Sequence, residues 1–191
     1  KNRVCRYSDI NVYLSNIDSD MRVWLCKSQG SYWMLKHLCK TSKLNFNQTP
    51  IALMKAIKNN VEIKATKNAH LKDGIAVTTF IHWVKNNIGK VPMSELSASD
   101  FLKNCRKKQA GYKEPSFTTI SGYNSNGAII HYTPTVSSNA TLESKGFLLV
   151  DSGGQYSDGT TDITRTIALG PLTPKMKEYY TAVLKAHIAL A

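Results

Sequence analysis

The stretch Asp151-Ser-Gly-Gly-Gln-Tyr-Ser-Asp-Gly-Thr-Thr-Asp162-Ile-Thr-Arg-Thr166 constrains this chain more than any other. An uninterrupted apolar run, Phe147 to Val150, ends in Asp151, and a second acid, Asp162, opens the β-branched run Ile163 to Leu169. Short apolar runs bounded by glycine and polar clusters read as buried strands. Asp151 therefore falls where a strand reaches a ligand-accessible edge, and an unpaired carboxylate is costly there. A cation held between Asp151 and Asp162 removes that cost, and hard oxygen ligands suit Mn, Co, Zn or Mg. The pattern points to a metal site, and to a catalytic one.

Register decides how close the two acids come. A hairpin loop centred between Tyr156 and Ser157 sets Asp151 directly opposite Asp162. The obvious turn dipeptide, Asp158-Gly159, is two residues too late for that pairing. A bulge at Gly153-Gly154 or a longer irregular loop would repair the mismatch. Asp158 itself is read as a turn residue rather than a ligand.

A chain of 191 residues, 42% of them hydrophobic, holds one domain or one and a half and has enough apolar material for a core. No run is long enough for a membrane span, and Lys1-Asn-Arg-Val does not lead into a signal-peptide apolar region. Without an initiator Met, the chain is expected to begin mid-protein. Cys5, Cys26, Cys39 and Cys105 form no Cys-x-x-Cys pair and read as structural thiols of a reducing compartment. Asn139-Ala-Thr141 is an acceptor for glycosylation only in a secreted protein.

The net charge of +12 is uneven. Residues 1–50 hold 8 Lys and Arg against 3 acids, residues 51–110 hold 11 against 4, and residues 111–191 hold 6 against 6. The excess thus lies away from the two acids. Only Arg106-Lys107-Lys108 clusters, and aromatics are not interleaved with the basic residues, so a solvated face is expected rather than a nucleic-acid platform.

Along the chain, Val12-Tyr-Leu14 and Arg22 to Cys26 read as short strands and Ser31 to Leu38 as a helix. Thr41 to Pro50 reads as a turn or linker. Ile51 to Ile57 gives a short helix, and Asn59 with Glu62 makes a cap for a long one closed by Gly89. Its expected inward stripe is Ile63, Thr66, His70, Gly74, Val77, Ile81 and Val84. His37, His70 and His82 are expected as core or boundary histidines, not ligands. A third helix starts near Ser94 or Ser97 and runs to Gln109. Strands follow at Ser116–Ile120, Gly127–Tyr132, Gly146–Asp151 and Asp162–Leu169, with loops at Asn124–Gly127 and Thr133–Thr141. Thr173-Pro174 opens a last helix. This order indicates an α+β fold.

No Gly-rich phosphate loop, His-Glu-x-x-His or Gly-x-Ser-x-Gly elbow is present. Gly127-Ala-Ile-Ile-His-Tyr132, Leu149-Val-Asp-Ser-Gly-Gly-Gln-Tyr156 and Asp158-Gly-Thr-Thr-Asp-Ile-Thr-Arg-Thr166 closely resemble the Xaa-Pro aminopeptidases of the larger, cytosolic-type subgroup. These belong to the pita-bread metallopeptidases, with prolidase, methionine aminopeptidase and creatinase. The resemblance covers roughly residues 50–191 and implies the N-terminal half of a pita-bread catalytic domain. Residues 1–49 resemble the end of a preceding creatinase-like α/β domain.

The resemblance further implies two divalent metals, manganese first, with zinc or cobalt as alternatives. Asp151 would bind one metal and Asp162 bridge both. His131, 20 residues before Asp151, would contact substrate and shuttle a proton without binding metal. The family's remaining His and two Glu ligands lie well downstream of the second Asp, so they are expected beyond Ala191; Glu178 and His187 sit in no matching motif. The chain therefore resembles a fragment with part of an active site. The expected function is release of the N-terminal residue from peptides with proline second, by a cytoplasmic homodimer with no membrane or nucleic-acid partner. Two alternatives stand beside it: a metal-free creatinase-like hydrolase, and a non-catalytic pita-bread module binding protein or RNA. Two adjacent acids without metal would repel, which disfavours both.

Overall fold

The computed structural model describes residues 4–38 and 43–191, and its helices start at short polar residues. The Ser31 side chain accepts from Met34 N ahead of α2 (Tyr32–His37). Asn59 and Glu62 form a reciprocal capping box on α4 (Asn60–Asn87). Ser94 and Ser97 do the same for α5 (Glu95–Lys107), and Thr173 with Pro174 opens α6 (Pro174–Leu190). Each cap satisfies amides that the first helical turn leaves without carbonyl partners. None of the described helices is long and apolar enough to cross a membrane.

Two compact units divide the chain, Lys1–Lys58 and Asn59–Ala191. The second unit opens at the Asn59 cap, after α3 (Pro50–Ala56), which buries nothing and ends in an extended Ile57. In the first unit β1 (Arg22–Leu25) pairs in parallel with β2 (Lys43–Phe46), and α2 lies between them in sequence. Parallel neighbours require such a crossover. Val12-Tyr-Leu14 is not a strand: it lies in α1 (Ile10–Ser15), which packs on α2 and buries Leu14. Three residues without a ladder partner carry little strand preference of their own. Within the expected linker, Lys43–Phe46 forms β2; Thr41, Ser42 and Cys39 lie outside the described residues.

The second unit is α+β, with α4 and α5 covering one face of a three-stranded antiparallel sheet, order β4-β5-β8. Here β4 is Ile120–Tyr123, β5 Phe147–Ser152 and β8 Ile163–Ala168. Leu148 and Val150 of β5 and Ile167 of β8 meet Val77, Phe80, Val84, Ala98 and Leu102 of the helices in the core. Fully buried apolar side chains of this kind contribute about 1.5–3 kcal/mol each. A smaller sheet, order β3-β6-β7, is built from β3 (Tyr112–Pro115), β6 (Gly154–Tyr156) and β7 (Gly159–Thr160).

Three expected elements differ. Ser116–Ile120 is not one strand: the chain bends there, passing from the β6 ladder to the β5 ladder. Gly127–Tyr132 is not a strand either. Asn124–Ala128 is a 3-10 turn, Ile129 and Ile130 are 55% and 86% exposed, and no ladder partner is present among the described residues. The inward stripe of α4 is Ala69, Asp73, Ala76, Val77, Phe80 and Val84. His70 and His82 lie on its exposed side, bonded to Thr66 O and to Asn86 rather than placed in the core. Asp73 belongs to the inward stripe because it forms a buried ion pair with Arg106.

Candidate metal centre

The strand alternation of β5 sends Leu148, Val150 and Ser152 to the helix side, so Asp151 shares the opposite face with Phe147 and Leu149. Asp151 is half-buried, and its Oδ1 is fully buried with no hydrogen-bond partner. A buried polar atom without a partner is rare and calls for a ligand, ion or water. In the β5–β8 ladder Asp151 stands opposite Thr164, not Asp162. The same register continues through Gln155↔Thr160 and Tyr156↔Gly159, so the turn is Ser157-Asp158 and needs no bulge. Asp162, two residues before Thr164, is thus a diagonal neighbour of Asp151 on the same face. Its pKa is raised from 3.8 by burial of the carboxyl and then by the Asp151 charge, although the residue as a whole stays exposed. An orphaned carboxylate oxygen beside a second carboxyl on the same face is a place where a cation would remove an electrostatic cost. The donor set fits a hard divalent ion, but two carboxylates fill only part of its coordination sphere.

The segment between the acids is held tightly. Gly153 falls level with Asp162, and a Cβ on it would stand 1.9 Å from Thr161 O and 2.2 Å from Ser116 Oγ. Ser116 donates from Oγ to Thr161 O (2.8 Å) and from N to Gly153 O (3.2 Å), while Gly154 N donates to Thr161 Oγ1 (2.9 Å). Beyond this clamp the hairpin is tied to α4. Tyr156 Oη donates to Asp73 Oδ1 (2.9 Å), and Asp73 also takes the Arg106 guanidinium in a fork, Nη2 to Oδ2 at 3.1 Å. Burial, the Asp73 charge and that hydrogen bond raise the Tyr156 pKa far above its usual value. At the turn, Asp158 accepts from Lys72 Nζ (2.7 Å) and from Asn68 Nδ2, and the Lys72 bond lowers its pKa. Asp158 is therefore occupied by protein donors at a turn. Arg106, read as part of an exposed basic cluster, is only 2% exposed.

His131 occupies a different kind of structure. Its φ is +58°, a left-handed conformation that is unusual for a residue with a Cβ. The loop reaches the Asp151 face of the sheet at Gly127, whose backbone lies against Leu149 and approaches Gly122 so closely that a Cβ on Gly122 would stand 2.8 Å away. Its strongest anchor is Glu95, fully buried at the start of α5 and absent from the sequence reading. Glu95 could have been found only as a charged residue directly after a capping serine. No group of three His, Cys, Asp or Glu gathers to hold a metal among the described residues, so neither His131 nor Glu178 nor His187 joins Asp151 and Asp162. Among the cysteines described, Cys5, Cys26 and Cys105 are free thiols, and Asn139 of the glycosylation acceptor is engaged by Leu96 N (3.0 Å).

Comparison with known proteins places this geometry in a class. Metallopeptidase family M24 matches residues 64–191, and the chain belongs to that family. It is 38% identical over 189 residues to a Xaa-Pro aminopeptidase of Drosophila melanogaster and 40% identical over 190 residues to Xaa-Pro aminopeptidase 1 of Dictyostelium discoideum. Each match takes 97% of this chain but 30% of the relative, so the chain spans about a third of their length or slightly less. Among solved structures, X-prolyl aminopeptidase of Caenorhabditis elegans, described as a cytosolic enzyme with a di-nuclear active site, superposes with a TM-score of 0.79 at 27% identity. That superposition covers 88% of this chain and 29% of the other. The fold is thus part of a pita-bread catalytic domain.

Proposed function

We propose that the full-length protein is a metal-dependent aminopeptidase that releases the N-terminal residue from peptides with proline in second position. The observation that carries this reading is the buried, unpartnered Asp151 Oδ1 beside Asp162 on the open face of an M24 sheet. Asp151 and Asp162 would hold two divalent ions, manganese first, with further His and Glu ligands supplied from beyond Ala191. Bound there, the metals would activate water and stabilise the charge that develops on the scissile carbonyl. The chain's own residues set the stage: the Gly153 clamp fixes the spacing of the acids, and the hairpin's ties to Asp73 and Lys72 hold that clamp against α4. His131 contacts the substrate and moves a proton at the bond before proline. Residues 1–49 form the end of a creatinase-like domain, supported by the parallel β1–α2–β2 unit. A cytoplasmic location is proposed on the likeness to the cytosolic nematode enzyme, and a homodimer only on the family resemblance of the sequence.

The test is direct. Full-length protein incubated with Arg-Pro-Pro and Mn²⁺ should liberate free Arg. No release with manganese, zinc or cobalt would end the peptidase reading.

A further inference from the structure

We propose that Glu95 is the positioning residue for His131: its buried carboxylate gathers the loop on both sides of the histidine and so sets where the imidazole stands. The inference deepens the peptidase reading above and rests on it for the role of His131. Glu95 is 0% exposed, yet no cation faces it among the described residues. Oε1 accepts from Tyr123 N (2.7 Å) and Asn126 Nδ2 (3.0 Å), both before His131 in the chain. Oε2 accepts from Ala140 N (2.9 Å) and lies 2.8 Å from the hydroxyl of Tyr132, the residue after His131. Asn126 Nδ2 also donates to Tyr132 Oη (3.0 Å), which links the two sides.

These bonds are not helix capping. At the start of α5, Ser94 Oγ already accepts from Ser97 N (3.2 Å) and Asn139 Oδ1 from Leu96 N (3.0 Å). The Glu95 carboxylate is turned wholly toward residues 123–140. A buried carboxylate without a counter-charge is costly, and it persists where several donors converge on it. His131 needs such support. At φ +58° it sits in a conformation that a non-glycine residue holds only when its surroundings over-determine it. Its own side chain is exposed, so the backbone aims it. Misplacing a reacting group by about 1 Å costs on the order of 10²-fold in rate.

The experiment uses the full-length protein with Glu95→Gln, Tyr132→Phe and His131→Ala, alone and with Glu95→Gln and His131→Ala combined. Amide hydrogen exchange and kinetics on Arg-Pro-Pro are read on the same samples. Glu95→Gln should speed exchange across residues 124–140 by about tenfold or more while β5 and β8 stay protected. It should lower kcat by about 10- to 100-fold with KM and metal content within about twofold of wild type. On the His131→Ala background the same change should add less than about twofold, because the two residues act as one unit. Tyr132→Phe, which removes a single hydroxyl, should show the same pattern at smaller size and carries the comparison if Glu95→Gln does not fold. Unchanged exchange at 124–140, full additivity with His131→Ala, or metal loss in step with kcat would overturn the proposal. If wild type releases no Arg, the peptidase reading fails and the exchange result alone decides whether Glu95 organises the loop.

Discussion

Asp151 and His131 lie 20 residues apart and are held in place by opposite means. Asp151 sits in a strand with a backbone ladder on each side, β4 on one and β8 on the other. His131 sits in a loop without a ladder, fixed by side chains that converge on Glu95 and by a left-handed backbone. Ladder bonds repeat along a strand, so losing one side chain leaves the acid where it was. The loop has no repeating ladder, and its tie to α5 runs through Glu95 and Asn139. A single buried carboxylate sets the histidine, and small changes there should act on rate before they act on fold.

That contrast orders the expected outcomes. The largest should come from Asp162→Asn in the full-length protein, which keeps the side-chain shape and removes a charge that a bridging position requires. Metal content and activity should both fall toward background, whereas Asp158→Asn should keep its metal, because Asp158 is engaged by Lys72 and Asn68. Equal metal loss in the two variants would mean that the wrong acid is assigned. Next, His131→Ala should lower turnover by about 10²–10⁴-fold, with metal content and folding near wild type. Loss of metal in that variant would make His131 a ligand, and full activity would make it structural.

A third change tests whether the hairpin depends on its buried tie to α4. Asp73→Ala leaves Arg106 as an unpaired charge that is only 2% exposed and removes the Tyr156 acceptor. Breaking one partner of such a pair costs about 3–5 kcal/mol, which chemical denaturation would register. A loss below about 1 kcal/mol would show that the fork is dispensable. The smallest effect concerns Asp158. Its pKa is depressed below 3.8 in the folded state, chiefly by the Lys72 hydrogen bond. Its contribution to stability is therefore present above 3.8 and lost as pH falls through the lower, folded value. The small Tm difference between wild type and Asp158→Asn should shrink on acidification below 3.8; a difference that grows instead would reverse the sign of the shift.

Which parts could be read in the residues follows from the same contrast. Phe147–Val150 and Ile163–Leu169 were legible as strands because each apolar run finds a ladder, and Asn59, Ser94 and Thr173 were legible as helix starts because capping is local chemistry. Ile129 and Ile130 look equally strand-like, yet they project outward on a loop, because Gly127 has turned the chain onto Gly122. The residues left the hairpin register open: the turn uses Ser157-Asp158, midway between the centre that would pair Asp151 with Asp162 and the Asp158-Gly159 dipeptide. Asp73 and Glu95 give no signal of burial in the sequence, and Arg106 reads as surface there, for one reason. Patterning treats charge as surface, and only the fold reveals that each charge meets its partners 28 to 83 residues away.

The central claim is that Asp151 and Asp162 together hold divalent metal. Elemental analysis of the purified full-length protein, paired with calorimetric titration of residues 1–191 alone, tests it most directly. The account predicts two divalent ions per full-length chain and weak or no binding by the shorter piece, whose two carboxylates cannot complete either coordination sphere. A full-length protein that holds no divalent metal, or residues 1–191 that bind it tightly and stoichiometrically, would contradict it.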